Sequence, residues 1–265
     1  MNSCIELIGH TTKVFEIDQS RIEVLMLGQG PLIIFIPSLG RGVEDFLPLS
    51  NLLVSKGFQV CLPFPRGIGK SEDSLDDISL NDLADDVAKV ISVLGQPAIV
   101  AGHAFGNWVA RNLATRYPSL VRALVLLAAA HRNFPNELRD QIDICMDANQ
   151  ESSIRLQSLL TAFFCNAKLA NLWLEGWYPN VAKAQRIASK ACPSSEWWHA
   201  GTAQILDVQA DLDPFTPRST AFELQDELGA HRVSVVRIPN ASHSLIPEQP
   251  FAVSQVLIKF FNKFL

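Results

Sequence analysis

One short stretch of the chain has the spacing of a nucleophile turn but lacks the nucleophile. Residues 98–110 read AIVAGHAFGNWVA, in which an apolar run leads into Gly102 and Gly106, four positions apart. The pattern Gly-x-Ser-x-Gly between a strand and a helix presents a serine hydroxyl on a sharp turn, where it can attack acyl carbons. Here the central residue is Ala104, whose methyl group has no lone pair. The spacing therefore predicts a turn built for covalent catalysis without the group that would perform it.

The segments around this turn alternate between strands and helices. Two strand-like segments, residues 13–18 and 21–28, come first and are joined by a short polar turn. Continuous apolar runs, typical of strands covered on both faces, then predict strands at 31–38, 58–64, 98–103, 122–130, 203–210 and 233–239. Helices are predicted at 43–57, 80–95, 105–118, 219–230 and 253–265. This rhythm predicts an α/β fold with a doubly wound, mostly parallel, eight-stranded sheet and an antiparallel leading edge.

Residues 131–200 interrupt the alternation. They are helical in pattern and rich in Trp, Phe and Cys, and they contain no strand-like run. Because the segment is far longer than a plain connection between two strands, we predict a helical lid there. The remaining residues, 1–130 and 201–265, would form the core. A lid of this kind would cover the carboxyl end of the sheet, where open α/β sheets place their sites, whereas the simpler alternative is that these helices extend the core.

Composition argues against several classes of function. The 265 residues carry a formal net charge of −5, and Lys and Arg form no cluster, so we expect no nucleic-acid partner. The first residues lack the pattern of a secretory signal, and the longest apolar run, 123–130, is too short to cross a bilayer. Five cysteines never occur as C-x-x-C, which favours free thiols in a reducing compartment. We therefore expect a soluble, cytoplasmic protein with no membrane contact.

Taken together, these features resemble the α/β-hydrolase family over nearly the whole chain. The resemblance implies a catalytic triad in the order nucleophile, acid, histidine, with Ala104 at the nucleophile position. Residues 210–217, ADLDPFTP, are similar to the family's Gly-x-x-Asp-x-x-x-Pro segment, with Ala210 in place of glycine. This alignment places the acid at Asp213, and the neighbouring Asp211 is the second candidate.

The same resemblance places the histidine at His243. It lies in residues 238–250, IPNASHSLIPEQP, which look like the loop that leads into the family's last helix. In such a site Asp213 fixes the tautomer and orientation of the imidazole, and His243 moves protons. His103, which precedes the nucleophile position, is expected to pack within the turn. No three histidines or carboxylates have metal-ligand spacing, so we expect no metal and no other cofactor.

An oxyanion hole in this family needs two backbone N–H groups. One belongs to the residue after the nucleophile position, here Phe105, and the other to the loop after the strand at 31–38. That loop reads PSLGRG, and the amide of Leu39 is the candidate. Many relatives carry His-Gly where Pro37 and Ser38 stand, so the loop departs from the family pattern. Ser38 is expected to contact the substrate.

Ala104 leaves three explanations open. A serine-to-alanine change at this position is the usual way to disable a hydrolase, and it leaves binding intact. Alternatively, Asp213 and His243 could act as a general base on water or on a bound substrate, as in lyases. A third explanation is a binding protein whose hydrolase pocket has become a small-molecule sensor. Neither Ser38 nor Cys61 is expected to replace the nucleophile, because neither sits on a strained turn.

The function that the residues favour is hydrolysis of a small, largely apolar ester, lactone or related acyl compound. The aromatic side chains of residues 131–200 would line an apolar pocket, and Trp173 and Trp177 are the candidates for contact with substrate. The sequence leaves open whether the protein is a monomer or a homodimer.

Overall fold

A single eight-stranded sheet organises the protein. The computed structural model describes residues 10–129 and 136–264. The strands are β1 (His10–Ile17), β2 (Ser20–Leu27), β3 (Leu32–Ile36), β4 (Gln59–Pro63), β5 (Ala98–His103), β6 (Val121–Leu127), β7 (Ile205–Ala210) and β8 (Val233–Ile238). Their spatial order is β1-β2-β4-β3-β5-β6-β7-β8. β2 pairs antiparallel with β1 and β4, and all other pairs are parallel, so the predicted sheet and its antiparallel leading edge are confirmed.

Helices cover both faces of the sheet. They are α1 (Leu47–Val54), α2 (Leu80–Leu94), α3 (Gly106–Arg116), α4 (Glu137–Met146), α5 (Ser152–Ala162), α6 (Ala167–Ala170), α7 (Pro179–Lys190), α8 (Ser194–Trp197), α9 (Glu223–Leu228), α10 (Leu245–Glu248) and α11 (Pro250–Phe261). The helix predicted at 43–57 is divided into a 3-10 turn, Val43–Phe46, and α1. The reason is Pro48, which has no N–H to donate and is tolerated only in the first turn of an α-helix.

The two faces of the sheet explain why its strands are continuously apolar. Ile34 and Ile36 of β3 point into one core, which α2 and α3 cover. Ile33 and Phe35 point into the other, which α1 and α11 cover. Since successive side chains of a strand point to opposite faces, burial on both sides leaves no position for a polar residue.

Residues 136–200, which we call the inserted helices, lie between β6 and β7 and comprise α4 to α8. They contribute most of a third apolar cluster, which includes Leu159, Phe163, Phe164 and Trp173 and which also takes in Phe215 from the loop after β7. The boundary at 130/131 that the sequence suggests for a lid lies outside the described residues. That these helices form a separate lid stays a prediction.

Two further findings concern the whole described chain. None of the helices in residues 10–129 and 136–264 combines the length and hydropathy needed to span a bilayer. The four described cysteines, at positions 61, 145, 165 and 192, are free thiols, and Cys4 lies outside the described residues.

Candidate active site

The turn between β5 and α3 is as tight as the glycine spacing predicts. A Cβ on Gly102 would lie 2.3 Å from the carbonyl oxygen of Gly106. A Cβ on Gly106 would lie 2.2 Å from the carbonyl oxygen of Ile36, at the end of β3. Since non-bonded atoms do not approach so closely, only glycine allows α3 to pack against β3 and β5 at these positions.

Ala104, at the tip of this turn, has a left-handed backbone with φ of +48°. That conformation costs a non-glycine residue about 1–2 kcal/mol. Hydrogen bonds hold it: the Ala104 N–H donates to the carbonyl of Leu127 (3.0 Å), and the Ala104 carbonyl accepts from the backbone and side-chain amides of Asn107. The chain thus retains a strained turn at the position where the motif presents a nucleophile.

Asp213 and His243 form a buried pair. Nδ1 of His243 lies 2.9 Å from Oδ2 of Asp213, and the Asp213 side chain is fully shielded from solvent. The other oxygen, Oδ1, accepts from the backbone N–H of Phe215 at 2.8 Å. A carboxylate in this place holds the proton of the imidazole on Nδ1, so that Nε2 carries the lone pair.

The second candidate acid, Asp211, faces elsewhere. Its carboxylate forms an ion pair with Arg237 at 2.7 Å and approaches Arg218 at 3.6 Å. The structure therefore brings Asp213, and not Asp211, to His243.

A cavity of about 290 Å³ borders both Ala104 and His243. Its lining includes the buried residues Ser38, Ala104, Phe105 and His243 and the half-buried Leu39. Aromatic walls come from Trp108, Phe163, Trp177 and Phe215, and the remaining lining residues, Arg139, Ile142, Asp143, Arg186, Ser189 and Lys190, belong to α4 and α7. In the described parts of the chain, no group of three His, Cys, Asp or Glu side chains could hold a metal ion.

Comparison with known proteins fits this arrangement. The family model of the alpha/beta hydrolase fold matches residues 31–250, from β3 to the start of α11. The chain belongs to the α/β-hydrolase family.

Individual relatives are more distant. The curated 2-(acetamidomethylene)succinate hydrolase of Mesorhizobium japonicum is 28% identical over 178 residues, which cover 66% of this chain and 59% of that protein. The match thus spans less than two thirds of the relative's length. The solved structure of E-2-(acetamidomethylene)succinate hydrolase has a TM-score of 0.76 at 20% identity and covers 96% of this chain and 99% of its own. The solved structure of a variant of the meta-cleavage product hydrolase of Pseudomonas fluorescens IP01 has a TM-score of 0.76 at 22% identity. It covers 95% of this chain and 97% of its own. Both structural likenesses show the fold.

In this α/β-hydrolase the two amides expected to form an oxyanion hole both border the cavity. Within the described residues, the backbone N–H groups of Leu39 and Phe105 donate no hydrogen bond. Each is therefore available to donate to an oxygen bound in the cavity. Such preorganised donors stabilise the negative charge that develops on a carbonyl oxygen during acyl transfer.

The loop that carries Leu39 is fixed by the inserted helices, which sequence reasoning missed. The N–H of Gly40 donates to Oε1 of Gln185 on α7 at 2.8 Å, and the N–H of Tyr178 donates to the Gly40 carbonyl at 2.9 Å. Gln185 is almost fully buried. Nothing in the local sequence around Gln185 marks it, because its partner lies 145 residues away.

His103 also has a role beyond packing. Its Nε2 lies 2.9 Å from the backbone carbonyl of His243. Burial lowers the pKa of His103 to about 3, so the ring is neutral and its Nε2–H donates to that carbonyl. The side chain of His103 thus fixes the backbone of His243 by a hydrogen bond.

The two tryptophans expected to contact substrate lie in different places. Trp177 lines the cavity. Trp173 instead lies behind the cavity wall, where only 1% of its surface is exposed and where it packs edge-on against Phe164 and Trp177. The guanidinium of Arg41 lies over both indole rings, at 4.5 Å from Trp173 and 4.8 Å from Trp177. Trp173 therefore supports the wall because the cluster of the inserted helices encloses it completely.

The two other nucleophile candidates occupy quite different surroundings. Ser38 lines the cavity, but its backbone is not in the strained conformation of Ala104. Cys61 lies in β4 and is fully buried, and burial raises the pKa of its thiol far above the usual range. A thiol in that state is not a nucleophile at neutral pH.

Proposed function

We propose that this site hydrolyses a small acyl compound, an ester, a lactone or a related substrate. One observation supports the proposal above the others: a buried His243–Asp213 pair and two available backbone N–H groups border the same cavity as Ala104. Together these are the groups that acyl transfer needs, apart from the nucleophile. The hydrolase named among the relatives supports hydrolysis as the reaction class.

With a serine at position 104, the reaction follows the two-step route of the family. The hydroxyl attacks the carbonyl carbon, its proton passes to Nε2 of His243, and the N–H groups of Leu39 and Phe105 stabilise the oxyanion. His243 then gives the proton to the leaving alcohol. Water, deprotonated by the same nitrogen, then attacks the acyl carbon, and the imidazolium returns that proton to the serine oxygen as the acyl-enzyme bond breaks.

With Ala104 in place, no acyl-enzyme can form at this position. A water molecule must then attack the carbonyl carbon directly and pass its proton to Nε2 of His243. The imidazolium returns that proton to the leaving group as the tetrahedral intermediate collapses. This general-base route keeps the roles of His243 and Asp213 but loses the covalent step, so it is much slower.

The cavity supports a small substrate. Its volume of about 290 Å³ is at the lower end of the range for ligand pockets. Phe163, Phe215 and Trp177 give it apolar walls near His243. An acyl group of a few carbons fits this space, and its burial against aromatic rings stabilises the complex.

The first prediction tests the catalytic roles. We expect Ala104→Ser to raise the rate of hydrolysis of short-chain aryl esters at least about 10³-fold, because it restores the nucleophile. Release of the aryl alcohol, followed by absorbance, measures the rate. Adding His243→Ala to the Ala104→Ser chain should remove the gain, whereas His199→Ala, which changes an exposed histidine, is the matched control.

Other outcomes would replace this function with another. If Ala104→Ser is inert on a broad panel of esters and lactones, hydrolysis through position 104 is refuted. Turnover by the unaltered chain that His243→Ala abolishes would identify an enzyme that needs only the base. If no form turns over any substrate but a ligand raises the melting temperature, the site is a binding site.

A further inference from the structure

We propose that the substrate carries a carboxylate, which is bound at the mouth of the cavity by cationic side chains of α4 and α7. The inference rests on the proposed function, because it concerns the substrate of the same site. It refines the small, largely apolar substrate expected from the sequence to one that is apolar near the reacting carbonyl and anionic at its other end.

The first observation is the geometry of the two helices. Each presents residues at i, i+3 and i+4 to the cavity, which is the spacing of one helix face. From α4 these are Arg139, Ile142 and Asp143, and from α7 they are Arg186, Ser189 and Lys190. The two helices, joined by the ion pair between Arg186 and Asp143, thus form one wall of the cavity.

The second observation is the charge of this wall. It has three cationic side chains and one carboxylate, that of Asp143. Arg186 on α7 forms an ion pair with Asp143 on α4 at 2.6 Å, and Lys190 adds a further positive charge on α7 to the described lining. The chain as a whole has a net charge of −5, so this wall is opposite in sign to the protein that carries it. A net positive wall favours an anionic ligand.

The third observation is where the charges lie along the cavity. Arg139 and Lys190 are exposed and Arg186 is half-buried, whereas Ala104 and His243 are buried. The lining also includes the buried Phe163 and the half-buried Trp177 and Ile142. A ligand therefore fits with its acyl carbon at the buried end, a short apolar segment between the rings, and its carboxylate at the solvent end. There, Arg and Lys can bind it without the cost of burying a charge.

The test compares monomethyl adipate with dimethyl adipate, in which a second methyl ester replaces the carboxylate. Because the Ala104 chain lacks the nucleophile, calorimetry can measure binding without significant turnover. We expect the half-ester to bind about 10-fold more tightly than the diester. In the double variant Arg139→Gln/Lys190→Gln, the two ligands should bind within about 2-fold of each other. Lys183→Gln is the matched control, since Lys183 is exposed on α7, as Lys190 is, but does not line this cavity.

Salt gives an independent readout. Raising the NaCl concentration should weaken binding of the half-ester and leave that of the diester unchanged, because exposed charge pairs are screened. Equal affinity of the two ligands in the parent chain, a preference that survives the double variant, or no binding by half-esters of the C4 to C6 diacids would each overturn the inference.

The outcome separates this inference from the function on which it rests. If Ala104→Ser hydrolyses methyl esters but prefers dimethyl over monomethyl adipate, the carboxylate site is refuted and the hydrolase proposal stands. If the half-ester binds selectively and Ala104→Ser hydrolyses neither compound, the carboxylate site stands and the catalytic proposal fails.

Discussion

Ala104 and His103 are neighbours whose properties are set by the same turn. The turn forces a left-handed backbone on Ala104 and buries the imidazole of His103 beneath it. The first effect positions whatever side chain stands at 104 toward the cavity. The second keeps His103 neutral, so that its Nε2–H can donate to the carbonyl of His243. At the scale of single residues, the site is thus organised by backbone strain and burial.

A pH dependence follows from His103. In the unfolded chain its imidazole binds a proton below about pH 6.5, whereas in the folded protein its pKa is about 3. Between these values the unfolded state binds more protons, so the free energy of unfolding falls as the pH is lowered. We expect a contribution of about 2 kcal/mol between pH 7 and pH 5, measured by urea unfolding at both values.

His103→Gln provides the control for this prediction. Glutamine can still donate to the carbonyl of His243 but does not titrate, so the variant should lose less stability than the parent between pH 7 and pH 5. An acid dependence that is the same in His103→Gln as in the parent would contradict the assignment.

At the level of secondary-structure elements, the loop that carries Leu39, whose amide we propose as an oxyanion donor, depends on α7. Gln185 accepts from the N–H of Gly40, the residue directly after Leu39. Gly40 itself has φ of +60°, and a Cβ there would lie 2.7 Å from the Cβ of Ala182 on the same helix. The loop is therefore held by a close approach to α7 as well as by a hydrogen bond, and Gln185 is a positioning residue for Leu39.

In the Ala104→Ser background, we expect Gln185→Ala to lower kcat about 10-fold with little change in KM. The reason is that a displaced Leu39 amide weakens only the stabilisation of the oxyanion, which develops after binding. Steady-state kinetics on an aryl ester measure both constants. Gln185→Glu, which keeps an oxygen as acceptor, should recover most of the lost rate. A rise in KM alone, or no recovery by glutamate, would show that Gln185 has only a structural role.

Across the molecule, the carboxylate of Glu248 joins the inserted helices to the loop that contains His243. Glu248 on α10 is almost fully buried. Its Oε1 accepts from the backbone N–H groups of Cys165 and Asn166, at 2.8 and 3.0 Å, and its Oε2 accepts from the N–H of Ser242 at 2.7 Å. Close by, the N–H of Ser244 donates to the carbonyl of Phe163 at 2.8 Å. These bonds tie the loop that contains His243 to the segment after α5.

Glu248→Gln should therefore destabilise the protein, although the two side chains have nearly the same size and shape. An amide has one acceptor oxygen for three N–H donors, and its own NH₂ would face a donor. We expect a loss of about 2 kcal/mol in the free energy of unfolding, measured by urea denaturation. Glu137→Gln, at an exposed position on α4, should change it by less than about 0.5 kcal/mol. Equal effects of the two changes would refute the linking role.

The strands, their order of appearance and the turn at Ala104 could be predicted because they depend on local patterns. Apolar runs predict β3 and β5, and the glycine spacing predicts the turn between β5 and α3. The close contacts that require glycine in this turn are made by residues nearby in sequence or at the end of an adjacent strand. Asp213 and His243 could be proposed because each follows a strand in a recognisable motif. Their 2.9 Å contact follows from the parallel order of β7 and β8, which brings their carboxyl ends together.

The tertiary structure alone decided which side chains surround that pair. Trp173 and Trp177 are four residues apart, Trp173 at the end of a 3-10 turn and Trp177 in the connection to α7, yet Trp177 lines the cavity and Trp173 is enclosed behind it. The hydrogen bond between Gly40 and Gln185 joins segments that are distant in sequence. The same is true of the cationic wall, which α4 and α7 share. Such contacts depend on how each helix is rotated and seated against the others, and that is settled by packing across the molecule rather than by any local pattern.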